Sequence, residues 1–346
     1  MQRNIMGFAS LGAMVLASGA AQAGGLDRSG QSIAALFGEG TVAELSFSGV
    51  DPAVEGVFLG LLPSGDVAPA YTRLALSFKT DLNDKISAAL IMDQPFGAEV
   101  EYTTAGYPLA GTAAHVLSSG ITLLGNYQIS DAVSVHAGLR SITLNGDFTA
   151  VLPAPYTSTY GSASDISYVV GAAFEKPEIA LRVALTYATA TSFALDGSAG
   201  DVTTDMPQSV NLEFQSGIAA NTLVFGSIRW AEWTETEIID SLAGSLLSYD
   251  EDVITYSIGV GRKFSDAWSG ALTLGYEAAQ GGLASNLTPT DGYLSLGLGG
   301  TYTRGNMKIS GGVTYIMLGD ATTEDLGAEF TDNTALGAGV KVAFTC

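Results

Sequence analysis

Beyond residue 41 the chain alternates apolar and polar residues in run after run, yet no stretch approaches the roughly 18 consecutive apolar residues of a spanning helix. From Glu178 to Tyr187 one face carries Ile179, Leu181, Val183, Leu185 and Tyr187, and the other Ala180, Arg182, Ala184 and Thr186. The pattern repeats from Met307 to Met317, where Met307, Ile309, Val313 and Tyr315 oppose Lys308, Ser310 and Thr314. Between Trp268 and Tyr276, Leu272 and Leu274 alternate with Ser269, Ala271 and Thr273. Lipid cannot hydrogen-bond a backbone amide. A spanning chain without apolar helices therefore has one solution, a closed barrel with one face of each strand toward lipid and one toward a polar lumen.

A soluble sandwich alternates as well, so the connections must decide. Strands are expected near 42–50, 70–79, 85–94, 113–128, 132–146, 165–175, 178–189, 208–220, 222–232, 252–264, 267–279, 292–303, 306–317 and 335–345. Tight turns fall at Asp81 to Asp84, Ser130-Asp131, Lys176-Pro177, Ala220-Asn221, Ser265-Asp266 and Arg304-Gly305, and longer connections at every other link. Barrels of the bacterial outer membrane sort their links in this way, short on the periplasmic side and long outside. The sequence thus predicts an all-β, transmembrane antiparallel barrel of about fourteen strands over 41–346.

The N-terminus supplies the compartment. Arg3, the apolar stretch from Ile5 to Ala17 and the segment Ser18-Gly19-Ala20-Ala21-Gln22-Ala23 read as a signal peptide over 1–23, cleaved before Gly24. The apolar stretch is shorter than the roughly 20 residues of a membrane anchor. Cys346 is the one cysteine, so no intramolecular disulfide forms. A formal net charge of −21 excludes nucleic acid, whose phosphates demand Lys and Arg. Much of the acid falls in expected outer loops: Asp196, Asp201 and Asp205; Glu232, Glu235, Glu237 and Asp240; Asp250 to Asp252; Glu324, Asp325, Glu329 and Asp332. These form a solvated acidic rim rather than a metal site, since no EF-hand spacing is present. Trp230, Trp233, Tyr249 and Tyr256 are expected in an outer aromatic girdle, and Phe264 and Trp268 in an inner one.

Base is scarce, and the expected register turns much of it inward: Arg73, His136, Arg140, Arg182, Arg229 and Lys308. A hydrophobic acid in transit needs an apolar pocket for its tail and fixed cations for its carboxylate, which nominates Arg73, Arg140, Arg182, Arg229 and Lys308. The same residues also suit a structural ladder with luminal acids such as Glu213 and Glu277. Pro95 and Gly97 interrupt the third strand, so Pro95, Phe96 and Gly97 mark either a gate in the wall or that strand's passage into a loop. Catalytic motifs are lacking. His115 and His136 are the only histidines, and no GxSxG, HExxH or P-loop occurs. His136 beside Ser134 has no third group to orient it, so neither enzymatic activity nor a cofactor is expected.

Three segments together resemble the FadL-like outer-membrane transport family: Met92 to Tyr102 (MDQPFGAEVEY), Asp205 to Glu213 (DMPQSVNLE) and Ser227 to Thr234 (SIRWAEWT). The resemblance extends in strand rhythm over most of the mature chain. It implies a fourteen-stranded barrel with an inward-folded N-terminal plug and a lateral wall opening. It further implies hydrophobic cargo, long-chain fatty acids foremost, and a monomer among outer-membrane lipid and lipopolysaccharide is expected. The chain departs from the family at the plug: the Asn-Pro-Ala element is missing, and Asp51-Pro52-Ala53 sits instead at the end of the first strand. A short plug over 24–40 is expected, with Leu26, Ile33, Leu36 and Phe37 as its apolar contacts; otherwise this stretch is a frayed leader. A general diffusion porin and an outer-membrane acyl hydrolase are the competing functional readings.

Overall fold

The computed structural model describes residues 25–346, so the expected signal peptide lies outside the described residues. The wall consists of fourteen antiparallel strands closed into a ring. They are β1 (Val42–Ala53), β2 (Tyr71–Asn83), β3 (Ile86–Asp93, resumed as Gly97–Glu101), β4 (Ala113–Ser130), β5 (Val133–Ala150), β6 (Tyr156–Lys176) and β7 (Leu181–Ala188). The second half comprises β8 (Ser209–Ala219), β9 (Thr222–Ala231), β10 (Val253–Lys263), β11 (Trp268–Glu277), β12 (Tyr293–Arg304), β13 (Met307–Leu318) and β14 (Thr334–Thr345). Each strand pairs with its sequence neighbours, and β14 pairs with β1 to close the circle.

The alternation predicted from sequence decides the faces. Leu45 and Phe47 on β1, Leu123 on β4, Tyr168 on β6, Leu298 on β12 and Val313 on β13 stand about half exposed. Their neighbours Ser48, Thr122, Ser167 and Thr314 are buried inside. So regular an outward apolar belt is stable only against hydrocarbon, which identifies a transmembrane barrel. The inner turns are tight, as at Ser265-Asp266, where both Phe264 and Ser265 amides bond the Trp268 carbonyl.

The outer end departs from simple looping. Strands Thr191–Leu195, Val202–Met206, Glu237–Asp240 and Gly244–Ser248 join as one small sheet. Strands Glu55–Phe58, Leu62–Asp66, Leu283–Ala284, Ala321–Thr323 and Glu329–Phe330 join as a second. Beneath them, two apolar clusters fill the outer half of the barrel. One centres on Tyr71, Tyr102, Tyr107, Tyr293 and Phe330, the other on Leu26, Phe96, Phe148, Tyr160 and Trp233.

Two expectations change here. Trp233 was expected in the outer girdle, but the chain turns inward through the 3-10 segment Trp233–Glu235, leaving Trp233 with 0 % exposure. Tyr249 packs on it, ring centroids 5.1 Å apart. Tyr256, Phe264 and Trp268 do stay on the outer surface. Strand β6 begins nine residues earlier than the expected 165, because its outer part pairs with β5 well above the apolar belt.

Candidate functional site

The third wall strand is broken. Its ladder with β4 runs from Ile86 opposite Tyr127 to Asp93 opposite Gly120, and resumes with Gly97 opposite Leu117. Gln94, Pro95 and Phe96 thus oppose only Ser118 and Ser119. Proline has no amide to donate, and the surplus residue forces the strand to bend. The Ser118 hydroxyl accepts the Phe96 N–H at 2.8 Å and donates to the Phe96 carbonyl at 2.5 Å. On the other side, the ladder between β2 and β3 runs from Asn83 opposite Ile86 to Leu76 opposite Met92 and ends there. The outer half of β2, from Tyr71 to Ala75, and the resumed segment Gly97–Glu101 therefore flank a gap in the strand ladder, bridged at its outer end by the bond from the Glu101 amide to the Val67 carbonyl.

The N-terminal segment lies against this gap from within. Arg28 and Ser29 donate their amides to the Pro95 carbonyl, and Gly97 donates to that of Leu26. Arg28 donates Nε to the Gly97 carbonyl at 3.1 Å, lays its guanidinium 3.6 Å from the centre of the Tyr71 ring, and reaches Glu99 at 3.8 Å. Leu26 is fully buried in the cluster that holds Phe96 and Trp233. Ile33 and Leu36 pack against Ala89, Ile91, Leu124, Val169 and Ala188 of the inner wall. The segment forms a single 3-10 turn, Ala34–Phe37, and the Phe37 ring contacts His136 and Arg182.

Wall side chains tie the segment down. Arg229 grips the Asp27 carboxylate through Nε and Nη2, both at 2.9 Å, and Asn211 donates to the Gly30 carbonyl at 2.9 Å. Arg140 bonds the Gln31 side chain, and Arg73 the Arg28 carbonyl. Glu213 accepts from the Ser32 hydroxyl and the Ile33 amide. Of the nominated cations, then, Arg73, Arg140 and Arg229 hold the protein's own N-terminal segment. Arg182 stacks 4.8 Å from the Phe37 ring centre and reaches Gln215 at 3.3 Å. Lys308 stands further down the lumen, near Glu39, Glu44 and Lys341.

Arg73, Arg182, Arg229 and Lys308 line a cavity of about 770 Å³, whereas Arg140 is buried outside it. The cavity lies below the N-terminal segment and extends to the inner turns at Asp266 and Asn306. Its walls are rich in Ser and Thr, among them Ser46, Ser48, Ser227, Thr255 and Thr301. His136 donates or accepts at Thr186 Oγ1, 3.0 Å away, and has no carboxylate partner. The residues that sequence reasoning missed are Asp27, Arg28 and Gln31. Each becomes informative only beside wall partners far along the chain, so no local pattern marks it.

No family model matches the sequence, and no curated protein matches it. Solved structures do. A FadL homologue from Pseudomonas aeruginosa superposes with a TM-score of 0.75 at 12% identity, over 90% of this chain and 91% of that one. The toluene transporter TodX of Pseudomonas putida gives 0.68 at 13%, over 94% and 97%. The toluene transporter TbuX of Ralstonia pickettii gives 0.65 at 14%, over 99% of both chains. The fold is therefore that of FadL-type outer-membrane barrels, as the sequence resemblance implied.

Proposed function

We propose that this barrel passes hydrophobic small molecules through the outer membrane by diffusion, without energy coupling. In this reading the segment 24–40 serves as the plug, and the gap beside Pro95, Phe96 and Gly97 serves as a lateral exit. The observation that supports it is the hydrogen bonding of Leu26, Arg28 and Ser29 to the broken third strand, beside a discontinuity in the wall ladder. Solved barrels of the same fold include toluene transporters and a FadL homologue, which supports a hydrophobic cargo.

Within that class, long-chain fatty acids are the proposed cargo. Arg182 and Lys308 face the cavity and, unlike Arg73, Arg140 and Arg229, make no hydrogen bond to the N-terminal segment, so they are the cations through which a carboxylate would be held. Tail pockets select loosely, one methylene being worth only about 1 to 3 kcal/mol, so neutral aromatics would share the route.

Reconstitution into liposomes tests the proposal. The purified barrel should speed uptake of dodecanoate and toluene over protein-free vesicles while showing little steady conductance in planar bilayers. Large open-channel steps would instead mark a general porin, and unchanged uptake of both probes would remove the transport reading.

A further inference from the structure

At one level of the lumen, five cross-strand partners form a row: Asn211 on β8, Arg229 on β9, Thr255 on β10, Glu277 on β11 and Tyr293 on β12. The charges along it do not balance. Arg229 is matched by Asp27 at 2.9 Å. Glu277 is only 6 % exposed, yet among the described residues it forms no ion pair. Its Oε2 accepts from the Thr255 hydroxyl at 3.1 Å, while Oε1 is buried without a hydrogen-bond partner. The charged groups facing it, Asp27 and Asp291, are both acids. The one guanidinium of the row is thus taken by Asp27, and Glu277 is left without a counter-charge. Buried carboxylates are ordinarily paired or neutralised.

The surroundings indicate what kind of cation fits. Tyr249 and Tyr293 both lie within electrostatic reach of Glu277 and Asp27, and the Tyr249 hydroxyl is likewise buried without a partner. Tyr249 packs on Trp233. Aromatic faces beside an acid are the recurring means of holding an organic ammonium group. Among the described residues no group of three or more acids or histidines is arranged to hold a metal ion. Thr255 and Tyr293, on either side of Glu277, line the large cavity, and Glu277 is buried behind that lining, so a guest reaches the acid by parting these two side chains.

The outer surface agrees. The outer connections 54–70, 189–208, 232–252, 278–292 and 319–333 each contain Asp or Glu, and neither they nor the links 102–112 and 151–155 contain Lys or Arg. A mouth of one sign concentrates counter-charged solutes.

We propose that Glu277, with Tyr249 and Tyr293, forms a subsite for the ammonium group of a hydrophobic organic cation drawn in by the acidic mouth. A protonated amine would donate to the vacant Oε1; a quaternary ammonium would pair by charge and by the ring faces. This goes beyond the conduit reading, whose charged guest is a carboxylate held lower in the lumen at Arg182 and Lys308.

Calorimetry on the purified full-length barrel tests it with three probes of similar size: benzyltrimethylammonium, its neutral isostere neopentylbenzene, and phenylacetate. The ammonium should bind about tenfold tighter than the isostere, and phenylacetate, whose carboxylate is held at Arg182 and Lys308, should bind equally to the parent and to Glu277→Gln. Glu277→Gln should abolish the ammonium's advantage and leave neopentylbenzene unchanged. Tyr249→Leu, in an outer connection on which wall closure does not depend, should lower ammonium affinity severalfold and serves if the first variant does not fold. Equal binding of ammonium and isostere by the parent, as a simply protonated Glu277 would give, overturns the proposal. So does undiminished ammonium binding in either folded variant. Uptake of neopentylbenzene into liposomes is scored separately: its failure removes the conduit reading, whereas loss of ammonium preference with uptake intact removes only this subsite.

Discussion

Arg229 and Asp27 meet as a two-point fork, Nε to Oδ2 and Nη2 to Oδ1, across a separation of 202 residues. A third bond, from Nη1 to Asn211 Oδ1 at 2.9 Å, fixes the plane of the guanidinium. The fork joins the N-terminal segment to the wall opposite the broken strand. Charge-assisted hydrogen bonds of this kind contribute roughly 1.5 to 3 kcal/mol each. Arg229→Ala should therefore loosen the segment without opening the wall ladders. The expected result is a rise from a nearly silent bilayer trace to frequent openings, with an unchanged β-signature in circular dichroism; a silent trace would mean that the segment is held without the fork.

At Gly97 a Cβ would lie 3.0 Å from Arg28 Nε and 3.2 Å from the Val116 carbonyl oxygen. Gly97→Val should push Arg28 off the Tyr71 ring and speed release of apolar cargo severalfold. Pro95→Thr restores an amide donor and should slow it. Liposome uptake of toluene measures both, and equal rates in the two variants would argue against an exit at this position.

Trp233 is among the largest fully buried side chains, and it packs on Phe96 and Tyr249. Trp233→Ala should cost about 3 to 5 kcal/mol, as large-to-small changes in a core do. Because its contacts are with the outer connections and the N-terminal segment, the loss should appear as faster proteolysis within 189–208 and 231–252 while the wall survives. Limited proteolysis in detergent reads this directly.

Asp240 ties the outer four-stranded sheet to β6. Burial opposes its charge, but hydrogen bonds from the Tyr156 and Tyr160 hydroxyls, at 2.6 and 2.7 Å, and from the Ala243 and Leu242 amides prevail. They hold its carboxyl below the usual carboxylate range. A depressed folded-state value means that this stabilisation is complete above the unfolded carboxyl's titration and is lost as pH falls through the folded one. Protease resistance of the outer sheet should therefore fall on acidification in the parent, and the pH dependence should flatten in Asp240→Asn.

His136 bonds Thr186, and Ser134 is buried with its hydroxyl lacking a partner. Neither is oriented by a carboxylate, so His136→Ala should leave lipid-ester hydrolysis at the background of empty vesicles. A hydrolysis rate that dies with His136 would reopen the hydrolase reading.

The wall was legible because each strand's faces meet opposite solvents, which writes the period of two into the residues themselves. The tight inner turns were legible for a similar reason: Asn221 and Gly305 adopt positive φ, a local demand that shapes local composition. Pro95 announced the break in β3, since a missing donor is a property of one residue. The small sheets at the outer end were not legible. Glu55–Phe58 pairs with Glu329–Phe330, far along the chain, and such short strands carry too few residues for alternation to register. The contacts of Asp27, Arg28 and Gln31 escaped for the same reason. Trp233 misled because a tryptophan just past a strand end suits an interfacial girdle and an inward turn equally well; only the turn decides.

In a closed ring each stave is fastened along both edges, so drawing one out means parting two rows of bonds at once. Where β3 is interrupted, the outer stretch of β2 and the segment Gly97–Glu101 are each fastened to the ring by one such row. The barrel therefore carries a seam. Under tension applied through the outer connections, it should part there first, at a force set by one row, by the bond from Glu101 to Val67 that crosses it, and by the inner strip of Leu26 to Ser29 that backs it.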